Sequence, residues 1–424
     1  MKKIVQKSLV FVSSLTFMSF GSFTRAADWP QWRGPQRDGI SQEKNLFREW
    51  PKDGPKLLWE VKDIGSGFST PAVVGERIYL LGNKGLEDEF VLALSTKDGS
   101  KVWSKSIGKV GEPNQNPAYP AARSTPTVDG DMLYAISSDG DIAALKTADG
   151  SVVWKKSMRS DFGGAPGTWA YSESPLIDGN TLVCTPGGGQ ATVVALNKKS
   201  ADVIWKAALP EGDKAAYASA IIVTTGGIKQ YVQFLQNGLV GLDPSSGKML
   251  WRYERTAKGS PANIPTPVAD GSMIYSAASR TGGGLIKLKA NDGGGFEVEQ
   301  VYFGKKLPLA IGGAIKLGDY LYGSAADALV CVEFATGQLK WEDRSIAPAS
   351  LCFADGRLYL HGENGSVALV EPTSEGYRER SRFNPPDQPN RGAAKAWAYP
   401  VVANGKLFIR DGDRLWAYAV AAGG

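Results

Sequence analysis

From Ser124 to Trp154 the chain reads STPTVDGDMLYAISSDGDIAALKTADGSVVW. Short apolar runs alternate with polar triplets that contain glycine. Thr125-Pro126-Thr127-Val128 opens a first strand, and Asp129-Gly130-Asp131 turns the chain. Met132 to Ile136 is a second strand, and Ser138-Asp139-Gly140 a second turn. Ile142 to Leu145 is a third strand, Ala148-Asp149-Gly150 a third turn, and Val152-Val153-Trp154 begins a fourth. Aspartate–glycine pairs between alternating apolar runs are the usual signal for tight hairpins. One sheet of this size cannot bury both faces, so it needs copies of itself on either side.

The chain supplies the copies. The closing tryptophan recurs at Trp59, Trp103, Trp154, Trp205 and Trp251 with steps of 44, 51, 51 and 46, and 90 residues then separate Trp251 from Trp341. That last gap fits two repeats with one tryptophan missing. The opening of the unit recurs as Ser69-Thr70-Pro71, Ser124-Thr125-Pro126, Glu173-Ser174-Pro175 and Pro265-Thr266-Pro267. Four strands on a period of roughly 40–50 residues mark a propeller blade. The expectation is an all-β, eight-bladed β-propeller of four-stranded antiparallel blades. Seven blades open near Phe68, Arg123, Tyr171, Tyr217, Ile264, Leu309 and Pro348, and an eighth near Trp397. The eighth copy has three strands. Residues 55–64, around Leu57-Leu58-Trp59, form a fourth strand with no blade of its own. Joining the two would close the ring without an open sheet edge.

Composition changes the picture in two places. Lys2 and Lys3 precede an apolar run from Leu9 to Phe20, and Thr24-Arg25-Ala26 follows. This is the pattern of a cleaved secretory leader, residues 1–26, with 27–424 as a single propeller. It implies a periplasmic or secreted protein; no cysteine for a lipid anchor follows the apolar run, and no further run reaches membrane length. Removing Lys2, Lys3, Lys7 and Arg25 lowers 48 basic residues to 44 against 43 acidic ones. So balanced a chain argues against nucleic acid as a partner. Cys184, Cys331 and Cys352 sit in apolar, strand-like settings and read as small core residues. A Cys331–Cys352 bridge between neighbouring blades stays open at this level.

Candidate chemistry is sparse. The one histidine, His361, lies at a strand end before a turn and cannot make a histidine metal site alone. The loops that lead from one blade to the next are more informative, because they fall beside the central channel and carry polar and aromatic groups. Arg123, Trp169, Tyr171, Glu173, Asn263, Arg391 and Trp397 are the candidate ligand-binding residues of such a funnel, able to stack on and pair with a flat or anionic ligand. No catalytic set and no metal ligands are assigned.

Ala144-Leu145…Gly150…Trp154, with variants Leu242-Asp243…Gly247…Trp251 and Val332-Glu333…Gly337…Trp341, resembles the pyrroloquinoline-quinone (PQQ)-type propeller repeat over nearly the whole mature chain. That family includes quinoprotein dehydrogenases and BamB-like outer-membrane assembly factors that bind no quinone. Asp28-Trp29-Pro30-Gln31-Trp32-Arg33-Gly34-Pro35, Trp169-Ala170-Tyr171-Ser172-Glu173-Ser174-Pro175 and Ala262-Asn263-Ile264-Pro265-Thr266-Pro267 look like a secreted, planctomycete-type group within it. That group often carries a histidine pair before the double glycine of blade six, where this chain has Leu309-Ala310-Ile311-Gly312-Gly313. The resemblance implies a non-catalytic binding or scaffold protein with a protein or peptide partner in the envelope, or a small ligand in the funnel, and with no cofactor. The alternative it implies is a dehydrogenase using PQQ and calcium, with Glu173 and Asn263 as metal ligands and Trp169 as the floor. The adjacent cysteine pair of the resembling alcohol dehydrogenases is absent. Nothing in the sequence selects a lyase or hydrolase.

Overall fold

Each repeat folds because its short turns bring consecutive apolar runs into register. In the second blade Thr127–Asp129, Met132–Ile136, Asp141–Lys146 and Val152–Ser157 pair in sequence order, all antiparallel. The computed structural model describes residues 27–422 apart from 112–121 and positions 261, 293, 347 and 393. The expected leader and the loop from Glu112 to Tyr119 therefore lie outside the described residues. Among the described residues there are eight such sheets. The eighth is composite: Leu57–Val61 pairs antiparallel with Arg414–Ala419, setting Trp59 opposite Ala417 and Glu60 opposite Trp416. The seventh sheet carries an extra short strand, Ile40–Ser41, parallel to Ala349–Ala354.

Five of the repeated tryptophans tie their blade to the next, whereas Trp251 donates to Gln230 of its own blade. The indole nitrogen of Trp59 donates to the Thr96 carbonyl at 3.2 Å, Trp103 to Thr147 at 3.0 Å, Trp154 to Lys198 at 2.9 Å, Trp205 to Pro244 at 2.8 Å and Trp341 to Thr373 at 2.7 Å. The rings of Trp103 and Trp205 lie against Gly150 and Gly247 of the following blade. Gly150 has φ +73°, and a Cβ there would stand 2.6 Å from the Trp103 ring. The repeat's glycine thus answers both to a left-handed turn and to a neighbour's indole. Just before the aromatic position the outer strand bulges, leaving one residue unpaired.

Two blades lack the tryptophan. On blade five the position belongs to Tyr302, opposite Leu285 after the bulge, and its hydroxyl donates to Phe334 of blade six at 3.0 Å. On blade seven it belongs to Ser381. There Trp50 packs in from the leading segment: its backbone N–H donates to Ser381 Oγ at 2.7 Å and its ring lies 5.4 Å from Phe383.

The leading segment was not foreseen from the repeats. Between Trp29 and Ser41 it touches the innermost part of every blade, though not in blade order, since Trp32 and Arg33 reach blades five and six before Arg37 reaches three and four. Trp29 pairs with Val73 of blade one, and the Pro30 carbonyl accepts Val128 of blade two at 2.8 Å. Arg37 reaches the carbonyls of Ser174 and Pro175 on blade three and Ala220 on blade four. Trp32 donates to Thr266 of blade five at 2.8 Å, and Arg33 to Ala314 of blade six at 2.6 Å. Gly39 accepts Phe353 of blade seven at 2.9 Å, and Ser41 donates to Val402 of blade eight at 2.7 Å. Both arginines are buried and sit at φ 58°. Burial pulls Arg37 down to about 9, so it remains a cation at neutral pH. Carbonyl oxygens and Gln31 Oε1 compensate that charge.

The cysteines are buried and free, so no Cys331–Cys352 bridge forms.

Candidate functional site: a cup at the axis

The eight innermost hairpins give a common ruler. Their closing pairs are Val74/Arg77, Asp129/Met132, Asp178/Thr181, Thr225/Ile228, Asp270/Met273, Leu317/Tyr320, Ala354/Arg357 and Ala403/Lys406. Six residues before the first member of each pair stand Phe68, Arg123, Ser172, Ser219, Ile264, Ile311, Pro348 and Trp397, and all of them line one cavity of about 500 Å³. Each blade thus contributes one equivalent wall residue. The inner strands run from this ring toward the leading segment, which fills the axis at the other end. Trp32 from that segment and Tyr399 form the floor, ring centroids 4.7 Å apart and edge-on. The cavity is therefore a cup with one mouth.

Three of the seven sequence candidates are on the wall. Arg123 donates to the Trp169 carbonyl at 2.9 Å, and Trp169 donates its backbone N–H to the Tyr217 hydroxyl at 3.0 Å. The loop that delivers Trp169 starts from a short helix, Met158–Phe162, capped by Ser157 Oγ and ended by Gly163 at φ 64°. Trp397 stacks 5.1 Å from Phe68, and its indole donates to Glu363 Oε1 at 3.0 Å. Burial pulls Arg123 down to about 10.

The other four candidates stand elsewhere. Tyr171 is buried between blades two and three, its hydroxyl donating to Pro186 at 2.8 Å. Glu173 is buried behind the wall, accepting the Thr185 N–H and Gln233 Nε2; burial pushes its carboxyl up to about 7. Asn263 staples its loop to the carbonyls of Leu235, at 2.7 Å, and Gln236, at 3.0 Å. Arg391 is paired with Asp411. His361 is fully buried with Nδ1 2.9 Å from the Ala398 carbonyl, and burial lowers its pKa.

Trp32, Phe68, Tyr217, Arg280, Glu363 and Tyr399 line the cup but were not among the candidates. Counting back from each hairpin would have found Phe68. Nothing in the repeat announces Trp32, which lies outside it. Leu309, Ala310 and Ile311, the stretch that stands where the resembling group carries histidines, make an apolar wall.

The family described as outer membrane protein assembly factor BamB matches residues 40–166 and 88–315. The chain belongs to this BamB-type family of PQQ-like propellers. BamB of Shigella dysenteriae is 25% identical over 268 residues, covering 52% of this chain and 65% of that protein. BamB of Yersinia pestis is 22% identical over 282 residues, covering 62% and 64%. The chain thus spans just under two thirds of these BamB relatives. Among solved structures, BamB from Moraxella catarrhalis superposes with TM-score 0.60 at 14% identity, covering 85% of this chain and 96% of that one. Quinohemoprotein alcohol dehydrogenase from Comamonas testosteroni gives TM-score 0.51 at 12% identity, covering 94% and 81%. At such identities the two structures share the fold with this BamB-type chain. No helix among the described residues is long and apolar enough to cross a membrane.

Proposed function

We propose that this chain is a periplasmic or secreted propeller that holds a protein partner of the cell envelope without chemical turnover, in the manner of a BamB-type assembly factor. The observation that carries the reading is the ring of eight equivalent wall residues closed below by Trp32 and Tyr399. A cup of this kind grips side chains and brings together no reacting set. Glu363 is the one carboxylate among the described residues that line it, and its Oε1 already accepts Trp397. PQQ with calcium would need hard oxygen ligands beside a flat floor. Glu173 and Asn263, suited by type, are engaged with Thr185, Gln233, Leu235 and Gln236 away from the cup, so the residues do not fit that group. Among the described residues no three His, Cys, Asp or Glu gather to hold a metal.

Depleting the protein in its own host and quantifying outer-membrane proteins in isolated envelopes tests the assembly role. A fall is expected; unchanged levels would remove that role. Titrating the purified protein with PQQ and Ca²⁺ tests the alternative. The expected result is no change in quinone absorbance or melting temperature, and a saturable shift in either would restore the dehydrogenase reading.

A further inference from the structure

The wall of the cup is two-sided. Going round the ring, blades two to four present Arg123, Ser172 and Ser219, while blades five to eight and then one present Ile264, Ile311, Pro348, Trp397 and Phe68. Polar positions thus occupy one arc and apolar positions the rest. On the polar arc Ser172 Oγ has no hydrogen-bond partner among the described residues. The charges on the lining are the guanidiniums of Arg123 on blade two and Arg280 on blade five and the carboxylate of Glu363 on blade seven, a net positive charge with Arg123 alone on the polar arc. A guest must match this division across its own width.

An extended polypeptide does so, because its successive side chains point to opposite sides. We infer that the cup receives an extended segment of a partner protein whose side chains alternate between apolar and acidic or hydroxylic, the acidic edge facing Arg123, Ser172 and Ser219. This inference rests on the partner-binding reading above. The depth agrees with it. Tyr217, eight residues before its hairpin pair, is on the outer wall, and Tyr399, four residues before its own, is on the floor. Four residues of extended chain span about 13 Å, enough for about four residues of guest. A helix, about 10–12 Å across with its side chains, would present one broad face rather than two opposed edges.

The test uses the mature protein, with tryptophan fluorescence and calorimetry as readouts. Three short synthetic peptides serve as probes: one alternating phenylalanine with aspartate, one of the same composition in two blocks, and one alternating phenylalanine with lysine. The alternating acidic peptide is expected to bind about tenfold more tightly than the blocked one, the scale set by one charge-assisted contact. The lysine peptide is expected to bind least. Ser172→Asp places an anion on the polar arc without removing any side-chain hydrogen bond seen among the described residues. It should weaken the acidic peptide about tenfold and favour the lysine peptide, whereas Val153→Ser on the exposed outer strand should change neither. Arg123→Gln should weaken the acidic peptide as well, with circular dichroism confirming an intact fold. Equal affinity for alternating and blocked peptides, or indifference to Ser172→Asp, would overturn the inference. If the peptides behave so while envelope depletion still lowers outer-membrane proteins, the assembly role stands and only this occupant is wrong.

Discussion

Replacing Gly150 with alanine isolates the contact that joins neighbouring blades. Gly130 and Gly150 both hold left-handed backbone, at φ +63° and +73°. A Cβ on Gly130 meets nothing within 4 Å, whereas one on Gly150 would stand 2.6, 2.9 and 2.9 Å from three atoms of the Trp103 ring. Gly130→Ala therefore measures the backbone cost alone, about 1–2 kcal/mol. Gly150→Ala carries that cost plus overpacking of a held indole, about a further 1–3 kcal/mol. Trp103 cannot simply swing aside, because its indole nitrogen is bonded to the Thr147 carbonyl of the same turn at 3.0 Å. Urea unfolding followed by circular dichroism, with matched slopes, gives the two losses. In a Trp103→Leu background the extra cost should vanish and Gly150→Ala should fall to the level of Gly130→Ala. Equal losses in the parent chain, within about 0.5 kcal/mol, would refute the claim that tryptophan docking fixes this glycine.

On blade three the place of Gly150 is taken by Ala201 at φ 62°, so Ala201→Gly should stabilise the chain by about 1 kcal/mol in the same urea assay. Deleting residues 55–64 leaves Arg414–Ala419 as an open edge, so calorimetry should lose its single sharp transition and the protein should associate. Glu89 is fully buried, accepts the N–H and hydroxyl of Ser138, and is pushed by burial from 4.5 to about 7. The folded state then holds a proton that the unfolded chain releases, so stability is greatest below about pH 4.5 and declines toward pH 7, by roughly 3 kcal/mol for this group. Glu89→Gln should flatten that part of the stability–pH curve; an unchanged slope would contradict the assignment.

The blades were legible because each hairpin announces itself locally and each tryptophan marks the same place in the unit. Where the mark was missing, the sequence could not say what replaced it. Tyr302 keeps the ring and the hydrogen bond, whereas at Ser381 the aromatic group arrives from Trp50, more than three hundred residues away in the chain. The seam was legible too, since a strand without a blade faced a blade short of one strand. The leading segment was not, because its contacts are backbone bonds and buried guanidiniums with no period. At the site, loop residues adjacent in sequence parted company. Trp169 faces the cup while Tyr171 turns into the core, and Arg123 reaches the wall while Glu173, five residues before its hairpin rather than six, points into its blade. Residue type suggested all seven candidates; distance from the hairpin picks out Arg123 and Trp397, while Trp169 reaches the cup on the loop that follows the short helix Met158–Phe162.

The leading segment also fixes which way the molecule can be held. Ala27 is bonded to Glu43, and Ala422 to the Asn45 carbonyl, both on the plugged side of the ring. A resin, a bead or a reporter attached through either of these positions would leave the open rim pointing outward into solution. Immobilised capture experiments therefore need no linker engineering to keep the binding end accessible.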